Sequence, residues 1–288
     1  MFSDDFIKEM GFDKDSVKIS PFINEEDGEE YEVWKIEAEE KTFVFKKEKG
    51  KEAIIYENYL SVLNEHAPKF YGIFEHGGEK YLLMEYFDGE TTTKCDRIKL
   101  KNAIDALIGI QKTFWNSEEA EGDGYYNESL LKRKKRGEFL FDEEIEKAYG
   151  RFLKRYEEIP RTLCHDDLLP FNILSDSEKA VIIDWEYAGI LPYLVSFSRF
   201  IAHFSSEEDA FFFLEDGEKE WAIDYYYNNF IKEKGIQCSE FMDDLDLFLL
   251  YEYCEWVMIG NKYEDAKGER FYQYLSLAKE KAGKINSK

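Results

Sequence analysis

The sequence predicts an α+β fold of two lobes: a small, mainly antiparallel β N-lobe with one main helix over residues 1–88, and a larger helical C-lobe over residues 89–288. Three observations carry that reading. Strand-like runs cluster ahead of Asp88–Gly89, helical periodicity takes over from Thr91, and 288 residues exceed what one hydrophobic core usually serves. Hydrophobic residues make up 44% of the chain and aromatics 17%, ample material for a core, so a disordered chain is excluded.

Each element follows from local signals. Ser3 is placed to cap a short helix, with Asp4 and Asp5 in its first turn and Gly11 stopping it. VKISPFI (17–23), YEVWKIEAE (31–39) and KTFVFKK (41–47) read as strands, separated by the acidic loop NEEDGEE, which contains Gly28, and by a tight turn at Glu40–Lys41. KEAIIYENYLSVLN (51–64) reads as a helix. FYGIFEHGG (70–78) and KYLLMEYFDG (80–89) then read as two strands joined at Gly77–Gly78. From Thr91 on, Ile104, Leu107, Ile108, Phe114 and Trp115 recur at helical spacing, and 127–137, 141–158, 207–234, 241–259 and 268–283 also read as helices. The region around CHDDLLPFNIL (164–174) is the exception, because short apolar runs break the helical pattern there.

The net charge is −24, from 38 basic and 62 acidic residues, which disfavours nucleic acid and anionic membranes as partners and mildly favours cationic ones. Cys95, Cys164, Cys238 and Cys254 show no C-x-x-C spacing, so reduced thiols are expected rather than disulfides or zinc. MFSDDFIKEM lacks an apolar core for secretion, and FLLYEYCEWVMIG is too short and too interrupted by Glu252 and Glu255 to span a bilayer. The expectation is a soluble, cytoplasmic protein.

Past Asn172 the runs NIL, SDSEK and AVIID read as a hairpin folding near Ser177–Glu178. With Leu174 opposite Ile182, Asn172 would face Asp184 at the open end, and opposed residues of an antiparallel pair have Cα atoms roughly 4.5–5.5 Å apart. An amide oxygen and a carboxylate that close can share a hard cation, and Mg²⁺ favours such ligands while keeping sites for phosphate and water. A carboxylate on the preceding loop, Asp167, could orient a hydroxyl and accept its proton. In FVFK (43–46), strand alternation puts Val44 and Lys46 on one face and Phe43 and Phe45 on the other, although Lys47 competes with Lys46. On the helix that follows, Glu52 falls within the apolar stripe of Ile55, Tyr56, Tyr59, Leu60 and Leu63, whereas Glu57 lies about 140° away from it. A buried carboxylate needs a partner, and Lys46 is the natural one. The alternative is that Glu52 merely favours the first helical turn through the helix dipole.

His165-x-Asp167-x-x-x-x-Asn172 followed by Asp184 resembles the catalytic loop and metal-binding aspartate of eukaryotic-like kinases. More closely, CHDDLLPFNIL with VIIDWEYAG resembles the aminoglycoside phosphotransferase and choline kinase family. The resemblance implies a protein kinase-like fold in which Asp167 is the catalytic base, His165 buttresses its loop, and Asn172 and Asp184 hold Mg²⁺. It implies ATP or GTP as phosphate donor, with Lys46 on the phosphates and Glu52 as its partner. LLMEYFDGE (82–90) looks like the hinge between kinase lobes. Val44 would then lie under the base, Met84 close the back of its pocket, and backbone groups of Glu85 and Phe87 bond it, with Leu174 also in contact with the nucleotide. Four features depart from the family pattern. The first hairpin has Gly28 but no G-x-G-x-x-G, and no A-P-E segment occurs, which argues against a protein Ser/Thr kinase. Position 166 is Asp, where relatives often have Gly or Asn. Ser196 stands where many members place an aspartate that braces the catalytic loop, which admits a rival reading as a pseudokinase, a nucleotide-binding module without transfer.

Relatives hold their acceptor against acidic and aromatic side chains near the base. Here Glu186, with Tyr253, Glu255 and Trp256 of YEYCEW, would suit an amine or quaternary ammonium. At helical spacing the latter three also read as core and surface of a helix. The basic cluster Lys132 to Arg136 reads as a solvated helix face, with a phosphorylated ligand as the alternative. The expected activity is transfer of a nucleotide γ-phosphate to a hydroxyl of a small cationic, amine-bearing molecule, aminoglycoside- or choline-like.

Overall fold

The protein is described by a computed structural model that covers residues 2–23, 28–63 and 65–288, with Glu264 described by its backbone alone. Residues 24–27 of the expected acidic loop and Asn64 of the expected first long helix lie outside the described residues. Ser3 accepts the Phe6 N–H at 3.3 Å and opens α1 (Asp4–Glu9), after which Gly11 turns the chain at φ +84°. β1 (Val17–Ile23), β2 (Glu30–Ala38) and β3 (Lys41–Lys47) form a meander. α2 (Glu52–Asn58) leads into the hairpin of β4 (Phe70–His76) and β5 (Glu79–Glu85). The five strands make one antiparallel sheet, order β1-β2-β3-β5-β4. One face buries Ile36, Phe43, Phe45, Tyr81 and Leu83 against Phe6, Ile7 and Met10 of the N-terminal helical turn region. The other gives Leu82 and Met84 to the main core, where Ile55 and Tyr56 of α2 also lie.

Two expectations are corrected here. The β2–β3 turn is Glu39–Glu40, one residue earlier than read, with Glu39 in the left-handed region at φ +51°. The helix read over 51–64 ends at Asn58, followed by a 3₁₀ turn over 60–62. Tyr59 leaves helical geometry while its hydroxyl donates to Asp123 Oδ2 at 2.9 Å and accepts the Ala120 N–H at 2.7 Å, so a tertiary contact overrides helix propensity.

Past Asp88–Gly89 come β6 (Glu90–Thr91), β7 (Lys94–Cys95), α3 (Arg97–Thr113), α4 (Tyr125–Gly137) and α5 (Glu143–Glu158). Asp96 and Asp142 cap α3 and α5 by accepting N–H groups of their first turns. β8 (Arg161–His165) pairs with β11 (Ala188–Pro192), and between them lies the hairpin of β9 (Ile173–Ser175) and β10 (Ala180–Ile182). β6 adds to that hairpin on the β9 side. α6 (Leu194–Ala202), β12 (Phe213–Leu214), α7 (Glu218–Asn229), α8 (Cys238–Lys262) and α9 (Glu269–Asn286) complete the chain.

The helix read over 207–234 starts only at Glu218. Residues 213–214 form a short strand parallel to β7, and Gly217 at φ +83° turns the chain into α7. α6 escaped the periodicity because eight of its nine residues are buried, so no polar face alternates with an apolar one. The four cysteines are free, with only Cys238 exposed. Among the described residues no helix is long and apolar enough to cross a membrane.

Candidate active site

Strand alternation on β3 turns Lys46 towards α2, where its ammonium lies 2.7 Å from Glu52 Oε2 and also bonds Asp184 Oδ1. Glu52 is fully buried, and its Oε1 accepts the Trp185 N–H at 3.2 Å. Lys46, Glu52 six residues on, and Asp184 from far along the chain therefore meet. Burial opposes the charge of Lys46, but the combined pull of Glu52 and Asp184 outweighs it and lifts the pKa above the ordinary lysine value. Lys47 points to the other side of the strand and pairs with Glu32 at 2.8 Å and Glu79 at 3.5 Å. It stands apart from this cluster.

The loop between β8 and β9 is held by its own polar groups. His165 is buried; its Nε2 bonds the Ile183 carbonyl at 3.0 Å and its Nδ1 accepts the Asp167 N–H at 3.2 Å. That pattern suits the neutral ring carrying its proton on Nε2, and burial pulls its pKa below the usual value. Asn172 Nδ2 donates to the Asp167 carbonyl at 2.9 Å, which leaves the amide oxygen as the group it can offer elsewhere.

The β9–β10 register is one residue off the expected one: Leu174 pairs with Val181 and Ile173 with Ile182. Asn172 therefore faces Ile183, whose N–H it accepts at 3.0 Å, rather than Asp184. Asp184 is the next residue along, and its left-handed backbone (φ +65°, ψ 56°) turns the chain out of the strand. One oxygen of Asp184 bonds Lys46 while its side chain stays 39% exposed. With the Asn172 oxygen it supplies two hard donors, a set that fits Mg²⁺ sharing its remaining sites with phosphate and water. Among the described residues there is no cluster of three or more His, Cys, Asp or Glu that could hold a metal.

Asp167 is partly exposed, and its Oδ1 accepts from Arg199 of α6, Nη2 at 2.8 Å and Nε at 3.2 Å. Arg199 Nη1 reaches on to Glu252 at 2.9 Å and Glu255 at 2.6 Å of α8. The neighbouring Asp166 is gripped from α4: Arg133 takes both its oxygens, Ser129 Oγ donates at 2.9 Å and the Tyr125 hydroxyl at 3.1 Å. Burial pushes the Asp166 carboxyl up, but Arg133 outweighs it and holds the pKa below the usual carboxylate value.

Arg133 corrects the reading of its cluster as a solvated face. It is 2% exposed, with its guanidinium 4.5 Å from the Tyr251 ring centre and 5.0 Å from that of Tyr156. Arg199, which holds Asp167, and Arg133 and Glu252, which pair with Asp166 and Arg199, are parts of this cluster that sequence reasoning missed. The signal for Arg199 was there: one arginine inside LVSFSRFIA is a charge on an apolar helix, which requires partners.

The expected acceptor residues separate. Tyr253 is buried against Tyr274 and away from Asp167's cavity. Glu255 lines that cavity, but Arg136, Arg199 and the Tyr251 hydroxyl already occupy it, leaving no spare charge for an amine. Trp256 lines a second cavity of about 590 Å³ together with Phe171, Phe212, Tyr274 and Arg270. Glu186 sits in the turn after Asp184, where burial and then the Asp184 charge push its pKa up.

On the sheet side, Val44 lies opposite the buried Met84. The Glu85 N–H is taken by the Lys69 carbonyl at 2.8 Å, so Glu85 has only its carbonyl to offer a base. Phe87 gives its carbonyl to the Gly89 N–H at 3.2 Å, and Leu174 sits half-buried between Thr91 and Val181.

Residues 25–224 match the model of a phosphotransferase enzyme family. Protein LicA of Haemophilus influenzae is 26% identical over 136 residues, a match covering 46% of this chain and 46% of that protein. The match thus spans less than half the length of that curated relative. A choline kinase structure from Cryptosporidium parvum Iowa II superposes with a TM-score of 0.60 at 16% identity, covering 93% of this chain and 90% of that one. An aminoglycoside phosphotransferase solved in ternary complex with ADP and hygromycin B superposes at 0.55 with 13% identity, covering 98% and 97%. At these identities the structural likeness speaks for the fold, which is the two-lobed kinase-like one.

Proposed function

The chain belongs to the phosphotransferase enzyme family, and from that premise we propose a small-molecule kinase that transfers the γ-phosphate of ATP or GTP to a hydroxyl of a small amine-bearing acceptor. The observation that carries this reading is the Lys46 ammonium bridging Glu52 and Asp184, beside a loop on which Asn172 is bonded to Asp167. Residues 1–88 would bind the nucleotide and residues 89–288 the acceptor, in the cytoplasm, which suits four free thiols.

Lys46, fixed by Glu52, is the cation for the donor phosphates. Val44, Met84 and Leu174 offer apolar walls to the base, and the Glu85 carbonyl and the Phe87 backbone offer it polar edges. Asn172 and Asp184 would hold Mg²⁺, which neutralises developing phosphate charge. Arg199 fixes one oxygen of Asp167, and the other is left to take the hydroxyl proton. Positioning and charge neutralisation then supply most of the acceleration. The aromatic cavity of Phe171, Phe212, Trp256 and Tyr274, with Glu207 at its edge, supports an amine on the acceptor, as do relatives named for choline and aminoglycosides.

The test is nucleotide-dependent ADP or GDP release across aminoglycosides, choline, ethanolamine, thiamine and sugar amines. Acceptor-dependent release that requires Mg²⁺ and disappears in Asp184→Asn is the expected result. One observation favours a second reading: Arg199 engages the proposed base. A protein that binds Mg-nucleotide in thermal-shift assays, yet releases no product with any acceptor, would be a pseudokinase.

A further inference from the structure

The cavity beside Asp167 has a volume of about 240 Å³, and its lining includes three cations: Lys132 and Arg136 of α4 and Arg199. Its three carboxylates already have partners. Asp166 is held by Arg133, Asp167 by Arg199, and Glu255 by both Arg136 and Arg199. Lys132 makes no ion pair with any described side chain; its ammonium lies 5.3 Å from the centre of the Tyr187 ring. A third cavity of about 600 Å³ shares Lys132, Arg136 and Glu255 and adds Glu128, which pairs with Lys51, and Lys135 and Lys262, neither of them ion-paired to a described side chain. In a chain of 38 basic and 62 acidic residues most cations have carboxylates within reach, yet here three lysines converge that make no ion pair with a described side chain.

We propose that the acceptor carries an oxyanion, a carboxylate or a phosphate, beside the hydroxyl it presents to Asp167, and that Lys132 and Arg136 bind it. This rests on the reading of Asp167 as the centre of transfer. Cations in a concave, partly desolvated surface recognise oxyanions through charge-assisted hydrogen bonds. The protein's overall charge of −24 repels an anion at long range, so local focusing of positive potential has to supply its capture. An amine placed in the smaller cavity would meet no unpaired carboxylate. The amine therefore belongs towards the aromatic cavity, and the acceptor is read as bearing both charges.

Two measurements test this separately. Inorganic phosphate and, in parallel, acetate are titrated calorimetrically into the full chain, wild type and Lys132→Glu, with Lys132→Arg as the conservative control. Lys132 is exposed, and an unchanged urea midpoint verifies that each variant is folded. The expected result is binding that weakens about 10-fold or more in Lys132→Glu and is retained in Lys132→Arg. Equal affinity in all three proteins, binding of neither anion, or displacement by Mg-AMP-PNP (which would give the cluster to the donor) overturns the proposal.

The kinetic arm compares acceptors that differ only in the oxyanion: serine with serinol, glycerate with glycerol, glucosamine 6-phosphate with glucosamine. The anionic member should have the higher kcat/KM by about 10-fold, mostly through KM, and Lys132→Glu should erase the preference. The first two pairs report a carboxylate and the third a phosphate. Preference for the neutral member overturns the proposal. If no pair turns over, the transfer reading falls, while the phosphate titration still decides the anion site.

Discussion

Ser196 Oγ accepts the backbone N–H of His165 at 2.8 Å and donates to the carbonyl of the same residue at 3.3 Å. The neighbouring Asp166 N–H bonds the Tyr187 carbonyl across the β8–β11 ladder, so by strand alternation His165 turns its own backbone groups away from that ladder. One hydroxyl from α6 thus satisfies both. The residue that first suggested a crippled loop is in fact bonded to it at two points.

Ser196→Ala should therefore destabilise the fold by about 1–3 kcal/mol, the cost of leaving buried polar groups unpaired. Urea unfolding measures it. A midpoint equal to wild type would show that the serine braces nothing.

Asp167→Ala is expected to slow transfer about 10²–10⁴-fold, the usual contribution of a general base. Arg199 keeps Glu252 and Glu255 as partners, so folding and Mg-nucleotide thermal shifts should persist. Undiminished turnover would remove the base assignment.

Glu52→Ala leaves Lys46 buried with Asp184 alone. Breaking one side of a buried ion pair typically costs about 3–5 kcal/mol, and the surviving partner here places the effect towards the lower end. The released lysine charge should also compete harder for the Asp184 oxygens, raising the Mg²⁺ concentration needed for half-maximal product release. A Mg²⁺ titration unchanged from wild type would count against coupling between these groups.

Arg133→Met strands the buried Asp166 charge and should destabilise by about 3–5 kcal/mol at neutral pH. In the wild type the Asp166 pKa is depressed, so its contribution is complete above the unfolded carboxyl value of about 3.9 and is lost as pH falls through the folded value. In the variant the Lys132 charge and the Ser129 hydroxyl still oppose burial, but the largest opposing influence is gone, so the pKa rises relative to the wild type and the protonated acid is favoured. The gap between the two proteins should narrow on acidification from pH 7 to pH 4, by chemical denaturation at each pH. A gap that stays constant would deny Asp166 its role.

His165 and His66 both have pKa values lowered by burial. A depressed folded value means that the unfolded chain binds the proton more readily. The associated stability is present above about pH 6.5 and declines as pH falls, by up to about 1.4 kcal/mol per pH unit for each histidine. The denaturation midpoint should drop between pH 7 and pH 5, and His165→Gln should flatten that slope. An equally steep slope in the variant would place the titrating group elsewhere.

Much of the architecture was legible because its signals are local. The strands of the N-terminal sheet alternate with period two, and Glu52 announced its partner by being a carboxylate on an apolar stripe. The basic cluster was misjudged because Arg133 is buried by a partner 33 residues away in sequence and by tyrosine rings whose proximity no local pattern records. Arg199 draws together Asp167, Glu252 and Glu255 from two other segments, a relation that exists only after folding. The hairpin register missed by one residue because the turn from Asp176 to Lys179 sets it, and hydrophobic alternation reveals neither the length of that turn nor the left-handed torsion at Asp184.

That torsion gives Asp184 a double qualification. Left-handed backbone is tolerated best by glycine, asparagine and aspartate, and other L-residues are penalised by about 1–2 kcal/mol. Mutational scanning at this codon would therefore confound lost charge with conformational strain, asparagine being the one polar isostere that separates them. Over evolutionary time the same constraint closes most single-step routes by which the position could drift, even in a lineage that no longer needed its chemistry.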